Sequence, residues 1–253
     1  MILQKNPFAV VGTIDQCLLF TFQSPPEWAE ALLPDCLTPI VHNGCAFWNV
    51  VVCHVRDMRP RGFPRMLGVS YRHVAYRLYV RYQPEDAPAI EGLYFVRSDC
   101  DNRMMSTMGN LMTDFRFHAA DVRVQNVRDH QEISVDVPGG TARAVVGRQA
   151  PSGVPDYSAF STPDEAAAFL KYKPYGISVD RKGRVNVVHI TRDESAWKSR
   201  LVTVPKQEWQ FFNDLPARPE ICYEVEPIDY QWDRGVVYGA ERRTQRMAIA
   251  RPH

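Results

Sequence analysis

Lysine is scarce in this 253-residue chain: of 30 basic residues only Lys5, Lys171, Lys173, Lys182, Lys198 and Lys206 are lysines. None falls between residues 6 and 170. Arginine forms no Schiff base and is not deprotonated in proteins, but it binds carboxylates bidentately. Imine chemistry is therefore closed to that long stretch, while carboxylate binding is open to it. A coding bias is the simpler explanation of the scarcity, and the chemical restriction holds whatever its origin.

Charge of one sign is missing too. Thirty basic against 29 acidic residues leave a net charge of +1, without the concentrated excess that tracks a polyanion. The opening "MILQKNPFAVVGTIDQCLLFTFQSPPEW" lacks a basic region, apolar core and small-residue cleavage site. The longest apolar run, around Cys45 to Val55, contains Asn49 and His54 and falls short of the roughly 20 residues of a membrane span. The expectation is a soluble cytoplasmic protein with neither nucleic-acid nor membrane partners. Cys17, Cys36, Cys45, Cys53, Cys100 and Cys222 include no C-x-x-C pair, so buried free thiols are expected rather than a disulfide framework. His42 with Cys45, and Cys53 with His54, are too isolated for zinc. No G-x-S-x-G elbow, P-loop, G-x-G-x-x-G or H-E-x-x-H motif occurs, and no metal or cofactor is expected.

What is present is mostly strand. "CAFWNVVVCHV" (45–55) is β-branched and aromatic. "VSYRHVAYRLYVRY" (69–82) alternates, with Tyr71, His73, Ala75, Arg77 and Tyr79 on one face and Arg72, Val74, Tyr76, Leu78 and Val80 on the other. Neither face is plainly apolar, which suits the wall of a polar cavity. Further strands are expected at 92–98, 119–126, 131–137, 141–147, 175–180, 184–190, 200–204, 222–226 and 235–239, with hairpin turns at "VPGG" and "DRKG". Three helices are expected: one after Ser24 as cap and ending at Pro34, one from Arg103 to Phe115 with Gly109 as its weak point, and one capped by Thr162. Residues 150–163 read as a connection inside one domain. The chain is expected to be a single domain with a core over about 15–240 and a polar tail at 241–253.

The order of these segments resembles a known family. "WAEALLPDCLTPIVHNGCAFWNVVVCHVRDMRPRGFP", the strand "HVAYRLYVRY", the corner "FVRSDCDN" and "FLKYKPYGISVDRKGRVNVVHITRDESAW" are similar to successive segments of the uncharacterised bacterial YqjF-like family. That family is a branch of the acetoacetate decarboxylase-like superfamily. The resemblance covers about residues 25–240. It implies a mainly β (α+β) single domain: a curved antiparallel β-barrel with a few peripheral helices and a small polar cavity. The superfamily's namesake forms a Schiff base through a lysine whose counterpart falls near "TDFRF" (113–117), where this chain has none. Its strand carboxylate falls near Asn49.

Arg77 matches the family's strand arginine and shares a face with His73 and Tyr79. It either clamps a substrate carboxylate or pairs with a barrel carboxylate such as Asp99. His73 and Ala75 depart from the family pattern. Asp101 or Asn102 is expected to cap the 103–115 helix, while Asp99 ends a strand at the cavity mouth, with Arg103 as its ion-pair partner or a surface charge. Met104, Met108 and Met112 fit one helix face, as core packing or an adaptable cavity wall. Arg116 and His118 share a face if their stretch is a strand, and Arg116 stands nearest the missing lysine. His189 matches the family histidine before Trp197 and is a structural hydrogen bonder or an acid–base group.

The expected function is a barrel that binds a small anionic or carbonyl-bearing metabolite. Arg77 and Arg116 would be the anion clamps, with Asn49, Tyr79, His118 and Arg103 around them. His73 or His189 would move protons and Asp99 would orient one of them, giving a lyase-, isomerase- or hydratase-type enzyme without a Schiff base. A non-catalytic ligand-binding protein and a homo-oligomeric scaffold are the alternatives.

Overall fold

The computed structural model describes residues 5–138, 140–171 and 173–239; the tail expected at 241–253 lies outside them. Seven strands close into a barrel. Around the ring they run Val10–Ser24, Ile228–Trp232, Val185–Arg192, Tyr175–Val179, Ile90–Cys100, Val69–Tyr82 and Cys45–Pro60, which returns to Val10–Ser24. Closure leaves the ring without free edges.

The barrel departs from the expected antiparallel pattern at one place. Gly176 pairs with Leu93 and Ile177 with Tyr94 in parallel register. Parallel neighbours need a long crossover, and the chain between Cys100 and Tyr175 supplies it. That connection carries helix α2 (Arg103–Met112), helix α3 (Pro163–Phe169), and the strands Asp121–Val127, His130–Val137 and Gly140–Gly147. The last three join Lys206–Trp209 in a separate four-stranded antiparallel sheet.

Two apolar layers follow from the period-2 alternation of the strands. Outside the barrel, Phe20, Phe22, Trp48, Val50 and Tyr76 pack under Ile133, Val135, Ala142, Ala144 and Trp209 of the side sheet. Inside, Leu19, Val51, Cys53, Tyr71, Ala75, Tyr79 and Phe95 form the second layer. This explains the 69–82 strand, both of whose faces are covered.

Two of the three helices start at side-chain caps, and the one expected to reach Phe115 ends at Met112. Asn102 caps α2 by accepting from Met105 N at 3.1 Å, while Asp101 accepts from Arg72 N at 2.7 Å and ties the corner to the next strand. Thr162 caps α3 through Glu165 N at 3.1 Å. The first helix, α1 (Pro26–Leu32), has no side-chain cap. Ser24, expected there, instead accepts from Trp48 Nε1 at 3.1 Å within the buried strand. At "DRKG", Asp180 accepts from Lys182 N and Arg184 N at 2.8 and 2.9 Å, and Gly183 takes a left-handed φ of 77°.

Candidate active site

Cross-strand register sets the depth of each inward residue. Cys17 pairs with Cys53, Cys53 with His73, and His73 with Cys100. Three thiols and an imidazole thus form one row across four strands, all in the interior layer or the cavity wall. Burial pushes the Cys53 thiol up to about 12 and Cys17 well above its ordinary value, so both stay protonated and inert.

Deeper in the barrel, Asn49 pairs with Arg77. The Arg77 side chain is buried, donates to Asn49 Oδ1 and lies with its guanidinium carbon 5.6 Å from the Phe95 ring centre. Asn49 Nδ2 donates in turn to the Tyr79 hydroxyl at 3.3 Å. Tyr79 and Tyr223 both donate to the Leu170 carbonyl at 2.6 Å. This polar chain plugs the barrel floor and aims a cation upward. Arg77 Nε is buried without a partner, and among the described residues no carboxylate forms an ion pair with the guanidinium.

Above it opens a cavity of about 190 Å³ whose walls are mostly apolar rather than polar, including Leu19, Val51, Ala75, Phe95, Phe115 and Val188. His73 faces the same space, stacked on Phe117 at 5.3 Å, with Nε2 buried and unpartnered. Burial first, and the Arg77 charge second, hold its pKa down to about 3. An unfolded histidine protonates below about 6.5, so on acidification only the unfolded chain takes up this proton. The stability that neutral His73 contributes is complete above pH 6.5 and is lost progressively towards pH 3, at roughly 1.4 kcal/mol per pH unit. Denaturant unfolding at pH 7 and pH 5 should show wild type losing about 2 kcal/mol more than His73→Phe. Equal losses would mean that the imidazole is not held neutral.

The cavity mouth is built by α2 and the N-terminal segment. Met105, Met108 and Met112 line it, whereas Met104, expected to share their face, points to solvent. Gly109 is where α2 touches Phe117: a Cβ there would fall 2.5 Å from the ring. Lys5 Nζ donates to the carbonyls of Asn110, Leu111 and Thr113 at 3.0 to 3.2 Å, neutralising the helix C-terminus. Asn6 N donates to the Met112 carbonyl at 2.6 Å, which seats Phe8 at the opening. Trp197 is held against Arg192, whose guanidinium lies 3.6 Å from the ring centre.

Of the residues singled out from sequence, the fold brings His73, Arg77, Asn49 and Tyr79 together. The others stand elsewhere. Asp99 is re-aimed by a β-bulge: Tyr76 pairs with Arg97 but Arg77 with Phe95, so the extra Val96 flips the phase. Asp99 therefore pairs with Arg97 at 2.8 Å, not with Arg103, and burial raises its carboxyl above the usual range. Arg103 is exposed on the first turn of α2. Arg116 and His118 do not line the cavity: Arg116 precedes the strand Phe117–Ala119 with a left-handed φ of 55°, and the Phe115 and Phe117 rings take the cavity wall instead. Arg116 donates to the Tyr94 hydroxyl at 3.0 Å, and His118 stands 3.9 Å from Asp99. His189 also points outward, since Val188 and Ile190 line the cavity, and it meets Asp233 at 3.2 Å.

Sequence reasoning missed Cys17, Cys53, Phe115 and Tyr223. Cys17 left no signal, because an irregularity between Ile14 and Gln16 puts it out of phase with the inward Val10 and Ile14. No lysine lines the cavity. Among the described residues no group of three or more His, Cys, Asp or Glu could hold a metal ion, and no helix is long and apolar enough to cross a membrane.

By fold this is an acetoacetate decarboxylase-like barrel. Acetoacetate decarboxylase from Legionella pneumophila subsp. pneumophila str. Philadelphia 1 matches with a TM-score of 0.62 and 12% identity, over 90% of this chain and 87% of that one. An acetoacetate decarboxylase-like enzyme from Sphingomonas wittichii RW1 gives 0.60 at 11% identity, over 94% and 95%. The enduracididine biosynthesis enzyme MppR, complexed with pyruvate, gives 0.59 at 10% identity, over 94% and 93%. At such identities the likeness is one of fold. By sequence the chain belongs to the DUF2071 family, an uncharacterized conserved protein family (COG2071) whose model matches residues 13–239. No curated protein matches the sequence.

Proposed function

We propose that the barrel binds a small organic acid, with its carboxylate on Arg77 and the rest of the molecule in the cavity above. The observation that carries this is the state of Arg77: a buried guanidinium facing a cavity, held by Asn49 and given no carboxylate partner among the described residues. A lone buried charge is costly, and an incoming carboxylate offsets that cost with a bidentate, charge-assisted pair. The fold relative MppR is complexed with pyruvate, which makes 2-oxo acids the first probes. The test is thermal-shift screening against keto, hydroxy and unsaturated acids, with Arg77→Met as control. A ligand that stabilises both proteins equally would remove Arg77 from the reading.

Turnover of the acid would run without an imine, because no lysine lines the cavity. The observation favouring catalysis is the unpartnered His73 Nε2. A bound carboxylate offsets the Arg77 field that depresses the ring, so His73 gains proton affinity as the ligand arrives. It then serves as the acid–base group of a lyase-, isomerase- or hydratase-type step. His73→Ala should abolish turnover of a stabilising acid while retaining the thermal shift. Unchanged turnover would assign the proton transfer to another base, and no turnover in wild type would leave a binding protein.

A further inference from the structure

Resting on Arg77 as the carboxylate's partner, we infer that the natural ligand is a monocarboxylate with an apolar body, rather than a compact polar keto or hydroxy acid. Three features of the cavity point the same way.

The first is depth. Arg77 is held at the level of Asn49, and four residues up the same strand, roughly 13 Å along it, His73 still faces the cavity. A three-carbon acid seated on the guanidinium ends far below the mouth.

The second feature is the chemistry of the wall. Between Arg77 and the opening it presents Val55, Ala75, Phe95, Phe115, Val188 and Ile190. The Phe95 and Phe115 rings stack at 4.2 Å, giving a flat apolar surface. The thiols of Cys17 and Cys53 are uncharged, and the polar lining residues Asn6, Thr113 and Asp233 lie on the segments that form the rim. A second charged group on the ligand would meet no oppositely charged partner at mid-depth, where the polar wall residues are neutral His73 and the tyrosines Tyr71 and Tyr230.

The third feature is the mouth. Met105, Met108 and Met112 are unbranched and polarisable, a wall that adapts to bodies of different length. Met108 and Phe8 line the cavity and are each 42% exposed, so an apolar tail can reach the surface between them.

The experiment is calorimetric titration of the full chain with butanoate, hexanoate and octanoate, and with pyruvate, lactate and octylamine. Each methylene that leaves water should tighten binding roughly fourfold. Octanoate should therefore exceed hexanoate, and hexanoate butanoate, by roughly fifteenfold per step. Met108→Gln, at a position 42% exposed, should shrink the last step. Octylamine, with the same tail and the wrong charge, should not compete. Pyruvate binding as tightly as octanoate, with Arg77→Met abolishing both, would overturn the apolar-body inference and leave the carboxylate site intact. Octylamine binding as well as octanoate, unaffected by Arg77→Met, would overturn the site itself. Failure of every acid to bind would sink both.

Discussion

Arg77→Met should weaken binding of any stabilising acid by at least thirtyfold, and the unliganded variant should melt higher than wild type. The two effects share one cause. Truncating one partner of a buried charge pair costs about 2–5 kcal/mol of binding, which is thirtyfold at its lower end. In the empty protein, however, the guanidinium is a buried cation whose only side-chain hydrogen-bond partner among the described residues is the Asn49 amide. Replacing buried charge by an apolar side chain of similar volume is often stabilising by about 1–4 kcal/mol. Against that stands Asn49 Oδ1, which loses its donor at a cost of about 1–3 kcal/mol. The desolvation of a full charge is the larger quantity, so the balance favours methionine. Each kcal/mol moves Tm by about 2–4 °C in a chain of this size. Calorimetry with and without ligand reads both effects. A variant that melts lower and binds normally would place Arg77 among structural residues.

Trp209→Ala should do the opposite: lower stability steeply and spare the site. Trp209 ends the Lys206–Trp209 strand of the side sheet, almost wholly buried. Its ring packs edge-on against Phe20 at 5.0 Å, Phe22 at 6.3 Å and Tyr76 at 6.3 Å. All three belong to the outer layer of the barrel, so the indole is a wedge between the two sheets. Removing it leaves a cavity that neighbouring strands cannot close, at about 3–5 kcal/mol, or roughly 6–20 °C in Tm. None of these rings lines the ligand cavity. Acid affinity, measured below the transition, should change less than twofold; a large loss would mean that the layers are coupled.

The strand residues that meet in the candidate site were visible for a simple reason. From Tyr71 to Leu78 the strand pairs without interruption against Cys45–Pro60, so alternation alone puts His73, Arg77 and Tyr79 on one face. Asp99 was misplaced because a bulge leaves no mark in the residue pattern: the extra Val96 is as good a strand former as any neighbour. Arg116 was misplaced because strand alternation does not reach it: its backbone is left-handed, with φ 55°, and the strand begins only at Phe117. The longest omission, Val10–Ser24, has a physical cause as well. Seven consecutive residues from Leu18 to Ser24 are buried, and a strand covered on both faces shows no polar–apolar period. Ile228–Trp232 is short and follows Pro227, a breaker signal that hid a barrel strand.

That hidden first strand has a consequence for how the chain reaches its fold. Val10–Ser24 pairs on one side with Cys45–Pro60, but on the other with Arg218–Val225 and Ile228–Trp232, some 200 residues later. During synthesis the early hairpin must wait with an unpaired, apolar edge until the ribosome has delivered almost the whole barrel. Such non-local closure makes for slow folding and an aggregation-exposed intermediate, and chaperone supply during expression becomes a limiting condition for yield.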